Sequence, residues 1–156
     1  MKSRLIASLI VGAAVVLGTT GCNMNTTMAT KIPYSPSDGV NVPDSGPILV
    51  RNALFVADDS GEDANFVAVL INSTDKTETL HLEIGEGSDK IDKSIRVPAD
   101  TTLSLGADHD PLLIEGLGVK AGATVPVYFQ SAEEAGVLVD VPVLDGTLEY
   151  LSSLAP

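Results

Sequence analysis

The sequence predicts an all-β protein, an antiparallel β-sandwich of seven to eight short strands. Three observations carry the prediction. From Ile48 onward, short apolar runs rich in Val, Ile and Leu recur at intervals of about ten residues. Turn residues (Asp, Ser, Gly, Pro) separate them, and several runs alternate apolar with polar, as half-buried strands do. Beyond the first 22 residues, no stretch has a convincing helical period.

The runs follow in order. Ile48–Ala57 is the first, closed by the turn Asp58–Asp63. Phe66–Asn72 is the second, and Ser73–Lys76 turns. Thr77–Ile84 alternates, with Leu80, Leu82 and Ile84 on one face and His81 and Glu83 on the other. Gly85–Asp89 is a loop. Ser94–Val97 and Thr101–Leu105 flank Pro98-Ala99-Asp100, and Leu112–Ile114 is short. Thr124–Gln130 and Val137–Val143 are the last two, joined by Ser131–Gly136, where Ser131–Glu134 has the length of one helical turn. Pro126 and Pro142 lie inside apolar runs. Each removes a ladder donor, so these points should be edge-facing or bulged.

The N-terminus has a different grammar. Lys2 and Arg4 precede an apolar stretch, Leu5–Leu17, and then come Gly18-Thr19-Thr20-Gly21-Cys22. A charged region, an apolar region and a small-residue cleavage site make a secretory signal. The stretch is 13 residues long, short of the roughly 20 that span a bilayer. A cysteine directly after the small residues reads as a lipoprotein signal, although Thr19 stands where such signals usually carry Leu. A thiol can hold a diacylglyceryl group by a thioether. Cleavage before Cys22 frees an amine for a further chain such as palmitate. Each buried methylene contributes about 0.8 kcal/mol, and stable attachment takes two chains, which a diacylglyceryl group supplies. The expected location is therefore the extracytoplasmic face of the cell membrane, with the mature protein starting at Cys22.

The expected organisation is a signal over residues 1–21, lipidated Cys22 with a flexible tether over 22–45, the sandwich over 46–145, and a tail over 146–156. The tether is rich in Asn, Thr, Ser and Pro and lacks apolar periodicity, so it cannot bury enough surface to offset the entropy of ordering. As a flexible coil of ~23 residues it spans about 25–30 Å. Tyr34–Val40, nearest the domain, is the part of it open to ordering.

Charge excludes some partners. The chain has 21 acidic and 9 basic residues. Lys2 and Arg4 leave with the signal, so the mature charge is 7 − 21 = −14. Phosphate needs Lys and Arg, so no nucleic acid is expected, nor adhesion to an anionic bilayer through surface charge. The expected contacts are the membrane, through the lipid, and another envelope protein. Cys22 is the sole cysteine, so no internal disulfide forms. With no Trp and only three Phe and three Tyr, the core must be built mainly from aliphatic residues.

The stretches Tyr34–Asn41, Val50–Val56, Leu70–Asp75, Val97–Asp100, Gly116–Phe129 and Ala135–Val143 together resemble the LpqE-type lipoproteins of high-GC Gram-positive bacteria. These are relatives of the PCuAC-type periplasmic copper chaperones. The resemblance covers nearly the whole mature domain and implies a cupredoxin-like (immunoglobulin-like) sandwich. It also implies a place to look for metal. PCuAC-type domains bind Cu(I) through two His and two Met, ending in a His-x-Met pair, and thioethers suit Cu(I). Gly106–His109 resembles the segment bearing the last His, but Pro111 stands at the Met position. The methionines are Met1, Met24 and Met28, all ahead of the sandwich. Of the upstream positions only His81 could supply the other His, and it matches no motif. The copper-ligand motif therefore reads as degenerate, and no cofactor is expected.

Other constellations are weaker. His109 between Asp108 and Asp110 could hold copper or a borderline ion such as Zn²⁺ with His81 assisting, although a solvated turn is the simpler reading. Asp58, Asp59, Glu62 and Asp63 lack the alternate spacing of a calcium loop and read as a charged hairpin tip. Asn72-Ser73-Thr74 is formally a glycosylation sequon and reads as a turn with side-chain caps. There is no G-x-S-x-G, G-x-x-x-x-G-K-[ST] or H-E-x-x-H, so no enzyme is expected. The function that follows is a lipid-anchored, non-catalytic binding or assembly module of the cell envelope. The alternative is a metal chaperone with altered ligands.

Overall fold

In the computed structural model, residues 3–4, 6–8, 10–12 and 37–156 are described. The described positions among residues 3–12 are helical, with the Ser8 hydroxyl donating to the Arg4 carbonyl at 2.9 Å. No helix among the described residues is long and apolar enough to cross a membrane. Cys22, Met24, Met28 and most of the expected tether lie outside the described residues.

Eight strands follow: β1 (Ile48–Ala57), β2 (Ala64–Asn72), β3 (Glu78–Ile84), β4 (Ile91–Val97), β5 (Thr101–Leu105), β6 (Leu112–Ile114), β7 (Thr124–Ser131) and β8 (Val137–Asp145). They are ordered β4-β3-β7-β8-β1-β2-β5, with β6 also on β2. β5 pairs with Ala68–Asn72 and β6 with Ala64–Phe66, so the two lie end to end along one edge of β2. β8 joins the layers. Its Val137–Pro142 pairs with β7, then Val143–Asp145 passes to β1. The expected all-β sandwich is what the strands form.

The core packs between the layers. Phe55 and Phe66 come from β1 and β2, Phe129 from β7, and all three are fully buried. Their ring centroids are 5.3 Å apart for Phe55–Phe66 and 6.4 Å for Phe66–Phe129. Val, Leu, Ile and Ala fill the rest.

Two local expectations are corrected, and two further points refine the plan. First, the pairing is not wholly antiparallel, because β1 and β8 run parallel, with Phe55 opposite Val143. No hairpin joins these strands to impose an antiparallel direction. The whole run from β2 to β7 serves as the crossover that a parallel pair needs. Second, Ser131–Glu134 makes no helical turn. Ser131 ends β7 with its hydroxyl accepting the Ile48 N–H at 3.4 Å, and Ala132 turns the chain at φ 56°. Third, the prolines lie on central strands, each facing a point where a neighbouring ladder stops. The Pro126 carbonyl accepts Gly85 N–H at 2.9 Å just beyond the last β3–β7 pair, Ile84↔Val127. Pro142 immediately precedes the first β1–β8 pair. The missing donors therefore fall where ladders end.

Fourth, residues on both sides of 46–145 pack against the sandwich. β1 meets β8 only at Phe55–Ala57, which leaves its earlier backbone groups unpaired on that side. Val40 fills part of this edge by exchanging hydrogen bonds with Ala53 at 2.9 and 2.8 Å. Val42 donates to Val50 at 3.1 Å and is buried, and Asp44 pairs with Arg51 at 2.6 Å. The register of β1 shifts here, between Arg51 and Leu54. Asn52 takes φ 50°, which asparagine tolerates, and its side-chain oxygen accepts Gly39 N–H at 2.8 Å. A Cβ on Gly39 would sit 2.6 Å from the Asn52 carbonyl carbon, so only glycine fits.

Residues 146–156, read from the sequence as a tail, also pack. Leu151 N–H and Ser152 N–H both return to the Leu148 carbonyl, at 2.9 and 3.0 Å. This turn lays Leu151 over Leu54 and Val56, and Val67, Leu144, Leu154 and Ala155 complete a second small core. Asn65 donates its amide to the Leu154 carbonyl at 2.9 Å. The Tyr150 hydroxyl donates to Asp38 at 2.8 Å, and that bond holds the phenol above its ordinary pKa.

Candidate functional site

His109 lies in the loop that carries the chain from β5 to β6. The loop is tight because the Ser104 carbonyl accepts the N–H groups of Ala107, Asp108 and His109, at 3.4, 3.2 and 3.1 Å. Gly106 N–H then closes it onto the His109 carbonyl at 2.7 Å. Asp108, His109 and Asp110 are all exposed. His109 Nδ1 lies 2.9 Å from the Asp108 carbonyl. A carbonyl only accepts, so Nδ1 is the donor in this contact, and in the neutral ring the lone pair is then on Nε2.

His81 is on β3, in the other layer. It is exposed, and its Nδ1 lies 2.9 Å from the Ser94 hydroxyl of its cross-strand partner on β4. Among the described residues, no group of three or more His, Cys, Asp or Glu side chains comes together to hold a metal ion. The loop offers one imidazole nitrogen beside two solvated carboxylates. Borderline ions in closed sites ordinarily take four ligands.

The acidic hairpin is occupied by its own turn. The Asp58 carboxylate accepts the Ser60 hydroxyl at 2.8 and 3.0 Å, Gly61 N–H at 2.6 Å and Glu62 N–H at 3.1 Å. These bonds, the Ser60 hydroxyl foremost, hold its pKa below the ordinary carboxylate value. Asp63 accepts Gly116 N–H at 2.9 Å, and the Glu62 carbonyl accepts Gly118 N–H at 3.1 Å. The hairpin tip is thereby docked on the β6–β7 connection. Gly61, at φ 75°, permits this: a Cβ there would lie 2.9 Å from Lys120 Cγ.

Asn72 is buried at 1% exposure, so the sequon cannot present its amide to a glycosylating enzyme. Its NH₂ donates to the carbonyls of Lys76 (2.7 Å), Val97 (3.0 Å) and Pro98 (3.0 Å). Its oxygen accepts the Thr74 N–H (3.0 Å) and hydroxyl (2.7 Å). The cap reading holds and goes further: one amide ties the β2–β3 turn to the end of β4.

Two concave features escape the sequence because each is built by distant segments. An open cleft of 570 Å³ separates the β1–β2 turn from the C-terminal segment, lined by Asp58, Asp59, Ser60, Thr147 and Ser152 among others. A smaller pocket of 260 Å³ lies between the β3–β4 loop and the β6–β7 connection. The glycines of those loops, Gly61, Gly85, Gly87, Gly116 and Gly118 among them, mark turns at positive φ but not the cavities between them.

No family model and no curated protein matches the sequence. Solved structures do. The apo PCuAC domain of PmoF2 superposes with a TM-score of 0.52 at 14% identity, over 69% of this chain and 97% of that one. The copper-bound PCuAC domain of PmoF2 gives 0.50 at 14%, over 67% and 97%. The apo PCuAC domain of PmoF1 gives 0.47 at 15%, over 65% and 97%. At such identities the likeness to the two PmoF2 structures is one of fold, and the sandwich of this chain is PCuAC-like.

Proposed function

We propose that the chain is a lipid-anchored lipoprotein of the cell envelope, of the LpqE type, whose PCuAC-like sandwich acts as a non-catalytic binding or assembly module. The observation that carries this reading is a combination. A signal ending in Gly21-Cys22 precedes a PCuAC-like sandwich, and no set of three metal-ligating side chains converges among its described residues. The anchor places the module on the extracytoplasmic face of the cell membrane, and its partner is another envelope protein. Labelled palmitate and membrane fractionation test the anchor. Wild type should take up label and pellet with membranes, and Cys22→Ala should lose both while keeping its thermal unfolding midpoint. A variant that stays membrane-bound would make Leu5–Leu17 the anchor instead. Capture of partners from membranes by the anchored protein tests the module. Turnover of a defined substrate by the purified protein would sink it.

The fold shared with a copper-bound domain favours one second reading, a metal chaperone with altered ligands. His109 Nε2 would be its central donor, assisted by Asp108, Asp110 or His81. Titration of the purified protein with Cu(I), Cu(II) and Zn²⁺ decides. Binding tighter than micromolar that is lost in His109→Ala supports the chaperone. Weaker binding, or binding indifferent to that substitution, ends it.

A further inference from the structure

The 260 Å³ pocket opens at the end of the sandwich where β3 turns into β4. Its floor is apolar. Ile84 and Val125 belong to the buried core, and Ile91, Leu117 and Val119 pack against that core while staying partly exposed. Its rim carries two acids, Glu86 and Asp89. The Glu86 carboxylate has no hydrogen-bond or ion-pair partner among the described residues. Asp89 accepts only the Ser88 hydroxyl, at 3.0 Å. The adjoining cation does not compensate them, because Lys90 is committed to Glu83 at 2.8 Å.

On the reading of the domain as a binding module, we propose that this pocket receives one arginine side chain of a partner protein. Its methylenes would lie on Leu117 and Val119, and its guanidinium would meet Glu86 and Asp89. Size limits the occupant: small-molecule sites run to roughly 300–1,000 Å³, and 260 Å³ is below that range. A single protruding side chain fits better than a free metabolite. Charge sets its sign. The chain carries a net −12, and both rim groups are acids, so an acidic or neutral tip would leave two carboxylates facing it unpaired. Form favours arginine over lysine. The planar guanidinium can bond two carboxylates at once, and its stem packs on apolar surface while the head stays polar. Arginine anchors of this kind concentrate binding energy at protein interfaces.

The test is an amide NMR titration of the full chain in detergent micelles with N-acetyl-arginine amide, N-acetyl-norleucine amide and N-acetyl-glutamate amide. The arginine probe should shift the amides of Gly85, Leu117 and Thr124 and saturate in the millimolar range, as suits a ligand of its size. Norleucine should bind at least about fivefold more weakly and glutamate not at all. The surface double substitution Glu86→Gln/Asp89→Asn should weaken the arginine probe roughly tenfold. Leu117→Trp, which fills the pocket from a partly exposed position, should abolish its binding while the rest of the spectrum stays dispersed. No shift at those amides, or equal affinity for norleucine, overturns the proposal. The underlying reading is tested separately. A partner captured from membranes equally well by wild type and Leu117→Trp would remove the pocket and leave the module standing. Substrate turnover would remove the module whatever the pocket binds.

Discussion

Phe66→Ala should lower the unfolding free energy by about 3–5 kcal/mol, the range for truncating a buried aromatic. Domains of this size have about 5–15 kcal/mol in total, so the variant would be marginal. Phe66 is fully buried and sits between Phe55, 5.3 Å away in its own layer, and Phe129, 6.4 Å away in the other. The three rings are all the phenylalanine the chain has, and there is no Trp. Their neighbours are Val, Leu, Ile and Ala on fixed strands, which cannot swing in to fill a ring-sized void. Phe66→Leu keeps much of the volume and should cost about 1–2 kcal/mol. Urea unfolding checks both. An alanine variant within about 1 kcal/mol of wild type would mean that the layers are not held by the ring trio.

Asn72→Ala should cost about 2–4 kcal/mol, although it deletes only a small polar group. The loss comes from what stays behind. The Val97, Pro98 and Lys76 carbonyls lose their shared donor, and Thr74 N–H loses its acceptor. A buried polar group left unsatisfied costs about 1–3 kcal/mol. Asn72→Asp should be worse, because a carboxylate would face three carbonyl oxygens. The orientation of the amide is not in question, since a backbone N–H can only donate, and Thr74 N–H therefore fixes which atom is oxygen. With an m-value of about 1–3 kcal/mol per molar urea, the midpoint should fall by about 1–2 M with m unchanged. Equal stability of Asn72→Asp and wild type would disprove the three-carbonyl geometry.

Most of the strand plan is written in local pattern. Ile48–Ala57, Thr101–Leu105 and Leu112–Ile114 begin and end where the apolar runs do, because turn residues bound them on both sides. β4 starts three residues before the predicted Ser94 because Lys93 occupies an inward position between Ile91 and Ile95 and hides the alternation. The C-terminal segment did carry a signal, Leu148, Leu151 and Leu154 at spacing three, the step of a helical turn. Its target was visible as well. Ala53–Ala57 is an unbroken apolar run, buried on both faces, and such a run needs cover on both sides. What local pattern cannot supply is which distant segment provides the cover. The same limit applies to the candidate site. His81 and His109 were visible as residues, but their placement on different layers belongs to the pairing of β3 with β7 and of β5 with β2. The pocket has no contiguous sequence signature, since its floor and rim come from three separate stretches.

The meeting of β1 with β8 also sets an order of events in time. The bonds that close the sandwich join residues made far apart. Ile48 N–H reaches Ser131 across 83 residues, and the Asn65 amide reaches Leu154 across 89. A chain appearing N-terminus first holds β1 early but cannot cover Leu54 and Val56 until Leu151, which follows β8, is free. Non-local pairing of this kind places folding in the milliseconds-to-seconds regime of all-β domains. A chain cut short of Leu151 would leave Leu54 and Val56 as part of an exposed apolar patch, a liability for association. The turn that carries Leu151 thus follows every strand in the chain, and the face of β1 that bears Leu54 and Val56 stays uncovered until that turn is made.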